Sequence, residues 1–424
     1  MKNTVGMEAN GNPEADETDN DLPLSLPFKA LRSAVAVATH GSAARAAAVV
    51  NKSPTTVTRN IQALEAALGL PLFERRTRGM ALTAAGRIVV ARARRAFDQL
   101  ELGAREARHV VAHGDATRDT RLTRLVNARL LFVLIAVAET GSEGRAAERL
   151  NLSQPAVSQA IRDIEHLAGT QLVERTSRGV HLTESGELLL RRIKLALTEL
   201  RVAEEEVASI QGLLRGHVTI ASLPFSSVEL VPQAVTKFLS QNPELKVTIV
   251  DGTYDSLMHQ LRSADVDMIV GTLRASVFDD IEQEALFDDT LSVVCRVGHP
   301  FTKLGAIELR DVVRAPWVVP LLDTVTRSSF EEAFRTENIE MPPIRLEVHN
   351  PMVVRSILLK SDHLALLSPL QVRSEIVAGQ LTVLPITLQG TQRRIGLTLR
   401  ADASPSPGMK ALLQELRIAA RELM

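Results

Sequence analysis

The sequence predicts an α/β chain overall, built as two copies of a small helical unit that carries a hairpin, followed by a half in which strands and helices alternate. Three observations predict it. An ungapped internal repeat returns the same residues 100 positions later. Near Gly216 the pattern changes from helical periodicity to short apolar runs alternating with helices. The length of 424 residues exceeds one ordinary core, at about 100–200 residues per domain. Hydrophobic residues make up 45% and aromatics only 3%, so Leu, Val, Ile and Ala must fill the cores.

Residues 1–26 read as a disordered acidic tail carrying Glu8, Glu14, Asp16, Glu17, Asp19 and Asp21, with no apolar signal core. The longest purely apolar run, Leu130–Ala138, falls far short of the roughly 20 residues a membrane-spanning helix needs, so no membrane is expected. A single cysteine, Cys295, excludes an internal disulfide framework and a cysteine metal cluster and points to a reducing cytoplasm. Within Leu291–Val297 it reads as a buried strand residue, not a redox group.

Residues 27–112 form the first unit, 113–121 (HGDATRDT and its flank) a linker, and 122–213 the second unit. The formal net charge is −1, yet from Pro27 to Ala112 fourteen Lys or Arg face five acids, a local net of +9. Where basic residues lie, more than their sum, decides whether a chain binds nucleic acid. The repeat carries Gly41-Ser42 to Gly141-Ser142, Ala46-Ala47 to Ala146-Ala147, Asn51 to Asn151 and Ser53 to Ser153. It also carries Val57, Ile61 and Glu65 to Val157, Ile161 and Glu165, and Glu74-Arg75, Arg78-Gly79, Leu82-Thr83 and Gly86 to their counterparts.

Each unit reads in the same order. A first apolar helix (Leu31–Thr39; Leu130–Glu139) ends at Gly41 or Gly141, suited to a left-handed terminus. Ser42 or Ser142 caps a second helix (Ala43–Val50; Glu143–Leu150). A turn at Asn51 or Asn151 leads to a third helix, whose stripe Val57, Ile61, Leu64 or Val157, Ile161, Ile164 faces the core. Its other face carries Thr55, Thr58, Arg59 and Gln62, or Pro155, Ser158, Gln159 and Arg162, side chains suited to base edges and phosphates in a major groove. A two-stranded wing follows, with Arg75, Arg76 and Arg78, or Arg175 and Arg178, able to reach phosphates or the minor groove. Thr83 and Thr183 then cap long helices, Ala84–Val111 and Glu184–Leu213. Leu188, Leu189, Ile193, Leu197, Leu200 and Val207 make a stripe suited to packing on a second copy, the alternative being packing within the chain.

The run Asn151-Leu152-Ser153-Gln154-Pro155-Ala156-Val157-Ser158-Gln159-Ala160-Ile161, with Leu172-Val173-Glu174-Arg175 and Leu182-Thr183-Glu184-Ser185-Gly186, resembles the N-terminal winged helix-turn-helix of LysR-type transcriptional regulators. Residues 28–108 resemble it too, keeping Leu72-Phe73-Glu74-Arg75 and Leu82-Thr83-Ala84-Ala85-Gly86 but with Pro54-Thr55 for Gln154-Pro155. A tandem pair departs from the single unit of most members. The resemblance makes both units candidate DNA readers, adding Ser53, Ser153 and Gln154 to the contacts, and its long helix a dimerisation element. The second copy reading sequence while the first adds electrostatic affinity, and one copy serving only dimerisation, both stay open.

From residue 214 to 424 the runs His217–Ser222, Val228–Leu239, Lys246–Asp251, Ser256–Ser263 and Asp267–Val270 predict a βαβ sheet. Gly216–Pro224 and Val250–Tyr254 through Gly271-Thr272 resemble the effector domain of the same family, which implies a fold similar to periplasmic binding proteins, with two α/β lobes around a cleft. The resemblance puts one lobe at about 216–273 and 380–424 and the other at about 274–379. Ligands of such folds bind between lobes, at strand ends and helix N-termini, which makes Ser222, Ser226, Thr272, Thr324 and Asn350 candidate effector contacts, with a Ser226–Glu229 capping box expected. The region around Asp251-Gly252-Thr253-Tyr254 is similar to members tied to sugar-related genes, with aromatic and organic acids also open.

No phosphate loop, HExxH or GxSxG elbow occurs, so no enzyme, metal or cofactor is expected. Asp279-Asp280 and Asp288-Asp289 read as solvated loop acids. Lys360 lacks the phosphate-binding loop that a pyridoxal phosphate lysine needs, and a solute-binding transport protein would carry a signal peptide. Expected partners are double-stranded promoter DNA, a small-molecule effector and, as a further candidate, RNA polymerase, with the chain a cytoplasmic homodimer or homotetramer.

Overall fold

The computed structural model describes residues 26–76, 79–111, 122–223, 228–275, 278–322 and 324–424. The first unit consists of α1 (Phe28–His40), α2 (Ala43–Val49), α3 (Pro54–Leu68), the hairpin β1 (Phe73–Arg76) and β2 (Gly79–Leu82), and α4 (Ala84–Val111). The second opens with the short α5 (Leu122–Leu125) and repeats the order as α6 (Ala128–Thr140), α7 (Glu143–Arg149), α8 (Gln154–Ala168), β3 (Val173–Thr176), β4 (Gly179–Leu182) and α9 (Glu184–Ile210). The linker expected at 113–121 and nearly all of the acidic tail lie outside the described residues; Leu26, the last residue of the expected tail, is fully buried.

Repeated residues make repeated bonds. Ser42 and Ser142 accept from the amides of Arg45 and Arg145. Glu65 Oε1 accepts from Leu72 N at 2.7 Å and Glu165 Oε1 from Leu172 N at 2.9 Å, which ties each third helix to its hairpin. The hairpin glycine has a steric reason to recur: a Cβ at Gly79 or Gly179 would stand 2.4 or 2.7 Å from the carbonyl oxygen of Gly41 or Gly141. The same oxygens accept from Met80 N and Val180 N at 3.0 Å.

The apolar stripe of α9 meets α4 of its own chain. Leu189, Ile193, Leu200 and Val207 are buried and, with half-buried Leu197, share one continuous core with Val89, Ala93, Ala96, Leu100, Ala104 and Ala107 of α4; Leu188 is half-buried. The two helices run antiparallel. The small residues of α4 let them approach closely, since a Cβ at Gly103 would stand 2.6 Å from Arg192 Cβ. Periodicity fixes which face of a helix is apolar and leaves open which helix covers it.

The back half holds two sheets. β5 (Gly216–Ser222), α10 (Leu230–Gln241), β6 (Leu245–Asp251), α11 (Tyr254–Arg262), β7 (Met268–Thr272) and β8 (Ile281–Thr290) lead into β9 (Ser292–Arg296), β10 (Trp317–Val318), α12 (Val325–Thr336), α13 (Pro351–Lys360), β11 (Leu364–Leu367), α14 (Arg373–Val377) and β12 (Leu381–Val383), and the chain returns through β13 (Gln392–Arg400) to α15 (Pro407–Leu423). The first sheet has the order β6-β5-β7-β13-β8 and the second β10-β11-β9-β12. β5, β6 and β7 are parallel, as βαβ crossovers require. The chain crosses between sheets at Leu291 and again between β12 and β13, so β8 belongs to the first lobe and β12 to the second, shifting both expected crossings downstream. The polar, alternating run of β8 suits an edge strand paired only with β13, which is why it did not read as part of a buried sheet.

Candidate nucleic-acid interface and ligand cleft

On α3, burial of Val57, Ile61 and Leu64 turns Thr55, Thr58, Arg59 and Gln62 outward, and all four are exposed. On α8, Pro155, Gln159 and Arg162 are exposed and Ser158 is half-buried. Ser53 caps α3, its Oγ accepting from Thr56 N at 3.1 Å; Ser153 and Gln154 stand exposed at the start of α8. Arg75 and Arg76 are exposed on the first hairpin and Arg175 and Arg178 on the second, while Arg78 lies outside the described residues.

The units differ in one buried carboxylate. Glu143, 7% exposed, accepts from Ser158 Oγ and from Arg175. Its counterpart is Ala43, so Thr58 donates instead to Pro54 O at 3.0 Å and no acid at that place meets Arg75. The sequence reading did not single out Glu143, although the repeat register exposes the difference. Not every base of the first unit faces outward: Arg92 is 1% exposed and bound to Glu199 and Glu206, because α9 covers it, and it offers nothing to an outside phosphate. Arg32 is likewise spent, on Thr123 O at 2.7 Å and Val126 O at 2.9 Å.

In the back half, Ser222 and Thr272 end the adjacent parallel strands β5 and β7, at the sheet edge where crevices form. β6 flanks β5 on its other side, and there Tyr254 opens α11; the Arg274 guanidinium stands 4.3 Å over the Tyr254 ring and bridges the two flanks. Burial raises the Tyr254 pKa. Thr324 and Asn350, from the other lobe, use their side-chain oxygens to cap α12 and α13. Ser226 lies outside the described residues, and Glu229 stands at the N-cap of α10 with no side-chain cap bond.

Asp279 and Asp288 are exposed, as loop acids are expected to be, but the second acid of each pair is engaged. Asp289 is 7% exposed and accepts from Arg393 Nε at 2.9 Å and from Ser368 Oγ at 2.6 Å, joining the two sheets at the crossing; a cavity of about 20 Å³ remains beside it. Burial lowers the Arg393 pKa and Asp289 opposes that shift. Asp280 accepts from Arg262 at 3.0 Å and from Arg191; burial would raise its carboxyl, but the two guanidiniums hold it below the ordinary aspartate range. The Cys295 thiol is buried and pushed up to about 11 by desolvation. Among the described residues no group of three or more acids, histidines or cysteines stands close enough to hold a metal ion, and no helix is long and apolar enough to cross a membrane.

The back half docks on the long helices. Lys194 Nζ meets Asp265 Oδ1 at 2.6 Å, Arg201 Nη2 meets Asp267 Oδ1 at 3.2 Å, and Arg92 Nη2 donates to Ser404 O and Oγ at 3.2 Å each. A cavity of about 250 Å³ lies where α4, α9 and the first lobe meet.

Comparison with known proteins agrees with this architecture. Residues 28–87 and 128–187 each match the family model described as bacterial regulatory helix-turn-helix protein, lysR family, and residues 211–421 match the LysR substrate binding domain. The chain is 34% identical over 400 residues to the HTH-type transcriptional regulator GalR of Pseudomonas putida, covering 94% of this chain and 98% of that one. The uncovered remainder is shorter than either repeated unit, so that alignment takes in both. The HTH-type transcriptional regulator PcaQ of Agrobacterium fabrum is 33% identical over 70% of this chain and 96% of its own length. Among solved structures, ArgP from Mycobacterium tuberculosis (TM-score 0.54, 19% identity, 69% of this chain and 96% of that one) and LysG from Corynebacterium glutamicum with bound effector Arg (0.51, 19%, 70% and 99%) share the fold.

Proposed function

Since this chain belongs to the LysR family of bacterial helix-turn-helix transcriptional regulators, we propose that it reads promoter DNA with α3 and α8 and senses a small molecule between the lobes of its C-terminal domain. The relatives are named regulators, not enzymes. The observation that carries the reading is the pair of exposed polar helix faces, each flanked by an arginine-bearing hairpin. Helices of this size fit the major groove while arginines beyond them hold phosphates.

The effector enters at the ends of β5, β6 and β7, where Ser222, Thr272, Tyr254 and Arg274 gather; Thr324 and Asn350 contribute through the helix termini they cap. Closure of the lobes shifts the first lobe against α9 and Arg92, and that movement changes promoter binding or DNA bending. The protein works in the cytoplasm as a homo-oligomer, a homodimer or a homotetramer, with RNA polymerase as a further partner at the promoter.

A mobility-shift assay of the full chain on duplexes enriched from a random library tests the reading. Arg59→Ala and Gln159→Ala each weaken binding to the enriched duplex by about 1–3 kcal/mol. Unchanged affinity in both variants removes α3 and α8 as the reading helices.

A further inference from the structure

The contacts between α4 and α9 obey a symmetry that a single chain does not need. The repeat pairs Arg92 with Arg192, Glu106 with Glu206 and Gln99 with Glu199. Across the helix pair, Arg92 Nε and Nη2 donate to Glu206 Oε2 and Oε1 at 3.0 and 2.6 Å, and Nη1 donates to Glu199 Oε2 at 2.9 Å. Arg192 Nε and Nη2 donate to Glu106 Oε2 and Oε1 at 2.8 and 2.5 Å, and Nη1 donates to Gln99 Oε1 at 2.9 Å. Exchanging the two units maps one set onto the other, atom for atom. Contacts that recur with the partners exchanged mark an isologous interface and a two-fold axis; the Arg95–Glu199 bond, with Leu195 at the counterpart position, is an addition on one side only. Such an axis ordinarily relates two copies of a chain; here it relates two parts of one chain.

The same axis relates the recognition helices. Gln211, just past α9, donates to Leu68 O at the end of α3 at 3.4 Å, and Arg108 near the end of α4 lies against Gly169 at the end of α8. Each long helix therefore ends on the opposite unit's recognition helix, and α3 and α8 sit in equivalent, inverted positions. Their outer faces are not equivalent: exposed Thr58 corresponds to half-buried Ser158, Arg59 to Gln159, and Gln62 to Arg162. Arginine suits the O6 and N7 of guanine, glutamine the N6 and N7 of adenine.

Resting on the DNA-reading role proposed above, we infer that one chain reads a complete two-part site by itself, and that the two half-sites are inverted but different in sequence. A homodimer with one unit per chain presents two identical helices and so favours a palindrome. This chain presents two different helices in a fixed relation and favours an asymmetric site. The effector domain docks on α9 and, through Ser404, on Arg92, with no matching hydrogen bond at Arg192 among the described residues, so a bound chain has a defined direction on the duplex. Oligomers of the chain then assemble through surfaces outside the α4–α9 pair, and each member brings its own complete reader.

The test is selection of the full chain on random-sequence duplexes, beside the variant Thr58→Ser, Arg59→Gln, Gln62→Arg, which makes these three outward positions the same in both units. The wild type is expected to enrich two unlike half-sites, inverted and at one spacing, and the variant to enrich a first half-site changed toward the second. At saturating duplex carrying one enriched site, native mass measurement is expected to give one chain per duplex. A palindrome or a lone half-site from the wild type, an unchanged motif from the variant, or two chains per duplex overturns the inference while leaving DNA reading intact. Failure of the wild type to enrich any sequence rejects the DNA-reading role, and the inference with it.

Discussion

Arg92 and Arg192 occupy equivalent positions and hold equivalent partners, yet their surroundings differ. The Arg92 side chain is 2% exposed because Ser404 and the first lobe close over it; Arg192 keeps 15%. Burial works against the Arg92 charge, but Glu206 and Glu199 outweigh it and raise the pKa, so the guanidinium stays ionised. Breaking a buried ion pair by removing one partner costs about 3–5 kcal/mol, because the other charge is left without compensation. Glu199 and Glu206 retain 15% and 18% exposure, so water softens that penalty and Arg92→Leu is expected near the low end, about 3 kcal/mol. Arg192→Leu leaves Glu106, at 31% exposure, better solvated and costs less. Denaturant unfolding of the two variants checks the order; equal losses would mean that docking of the effector domain adds nothing at Arg92.

At the scale of elements, most of the front half was legible because each helix carries its own start and stop. The expected span Ala84–Val111 coincides with α4, and the caps at Ser42, Ser142, Thr83 and Thr183 are all engaged. The outward faces of α3 and α8 followed from the stripe alone. What the stripe of α9 packs on was not legible, since an apolar face in cis and in trans has the same periodicity. The alanines of α4 and Gly103 were the signal for close approach. In the back half Asp289 read as a loop acid because the residues that bury it, Arg393 and Ser368, lie far along the chain. Gly103→Ala puts the close approach to a test in which two effects compete. Alanine improves helix propensity by up to about 1 kcal/mol. Forcing a methyl to 2.6 Å from Arg192 Cβ overpacks the interface, which costs about 1–3 kcal/mol. Neighbouring Cβ positions sit on backbones that cannot swing away, so the clash wins and net destabilisation of about 1 kcal/mol is expected in thermal or denaturant melts; a gain in stability would show that α4 and α9 lie further apart.

For the whole molecule, the effector domain can influence DNA only through what it touches, and its grip is on the helix pair that sets the spacing of α3 and α8. Asp280 joins Arg191 to Arg262, Asp265 holds Lys194, and Asp267 holds Arg201, so the first lobe is fixed along one side of α9. The Arg191–Asp280 and Lys194–Asp265 pairs are partly exposed and each contributes on the order of 0–1 kcal/mol by itself. Removing two therefore leaves the fold and the α4–α9 core intact while loosening the connection. A coupling free energy of about 1–3 kcal/mol between ligand and DNA sites corresponds to a roughly 5- to 150-fold change in affinity, the same in both directions. With an effector found by thermal-shift screening of the full chain, the double variant Arg191→Ala, Lys194→Ala is expected to bind duplex within about 3-fold of the wild type and to bind the effector unchanged, yet to lose most of the effector's influence on DNA affinity. A double variant that keeps the full effector response would place the transmission elsewhere, at Arg92 and Ser404 or through the oligomer.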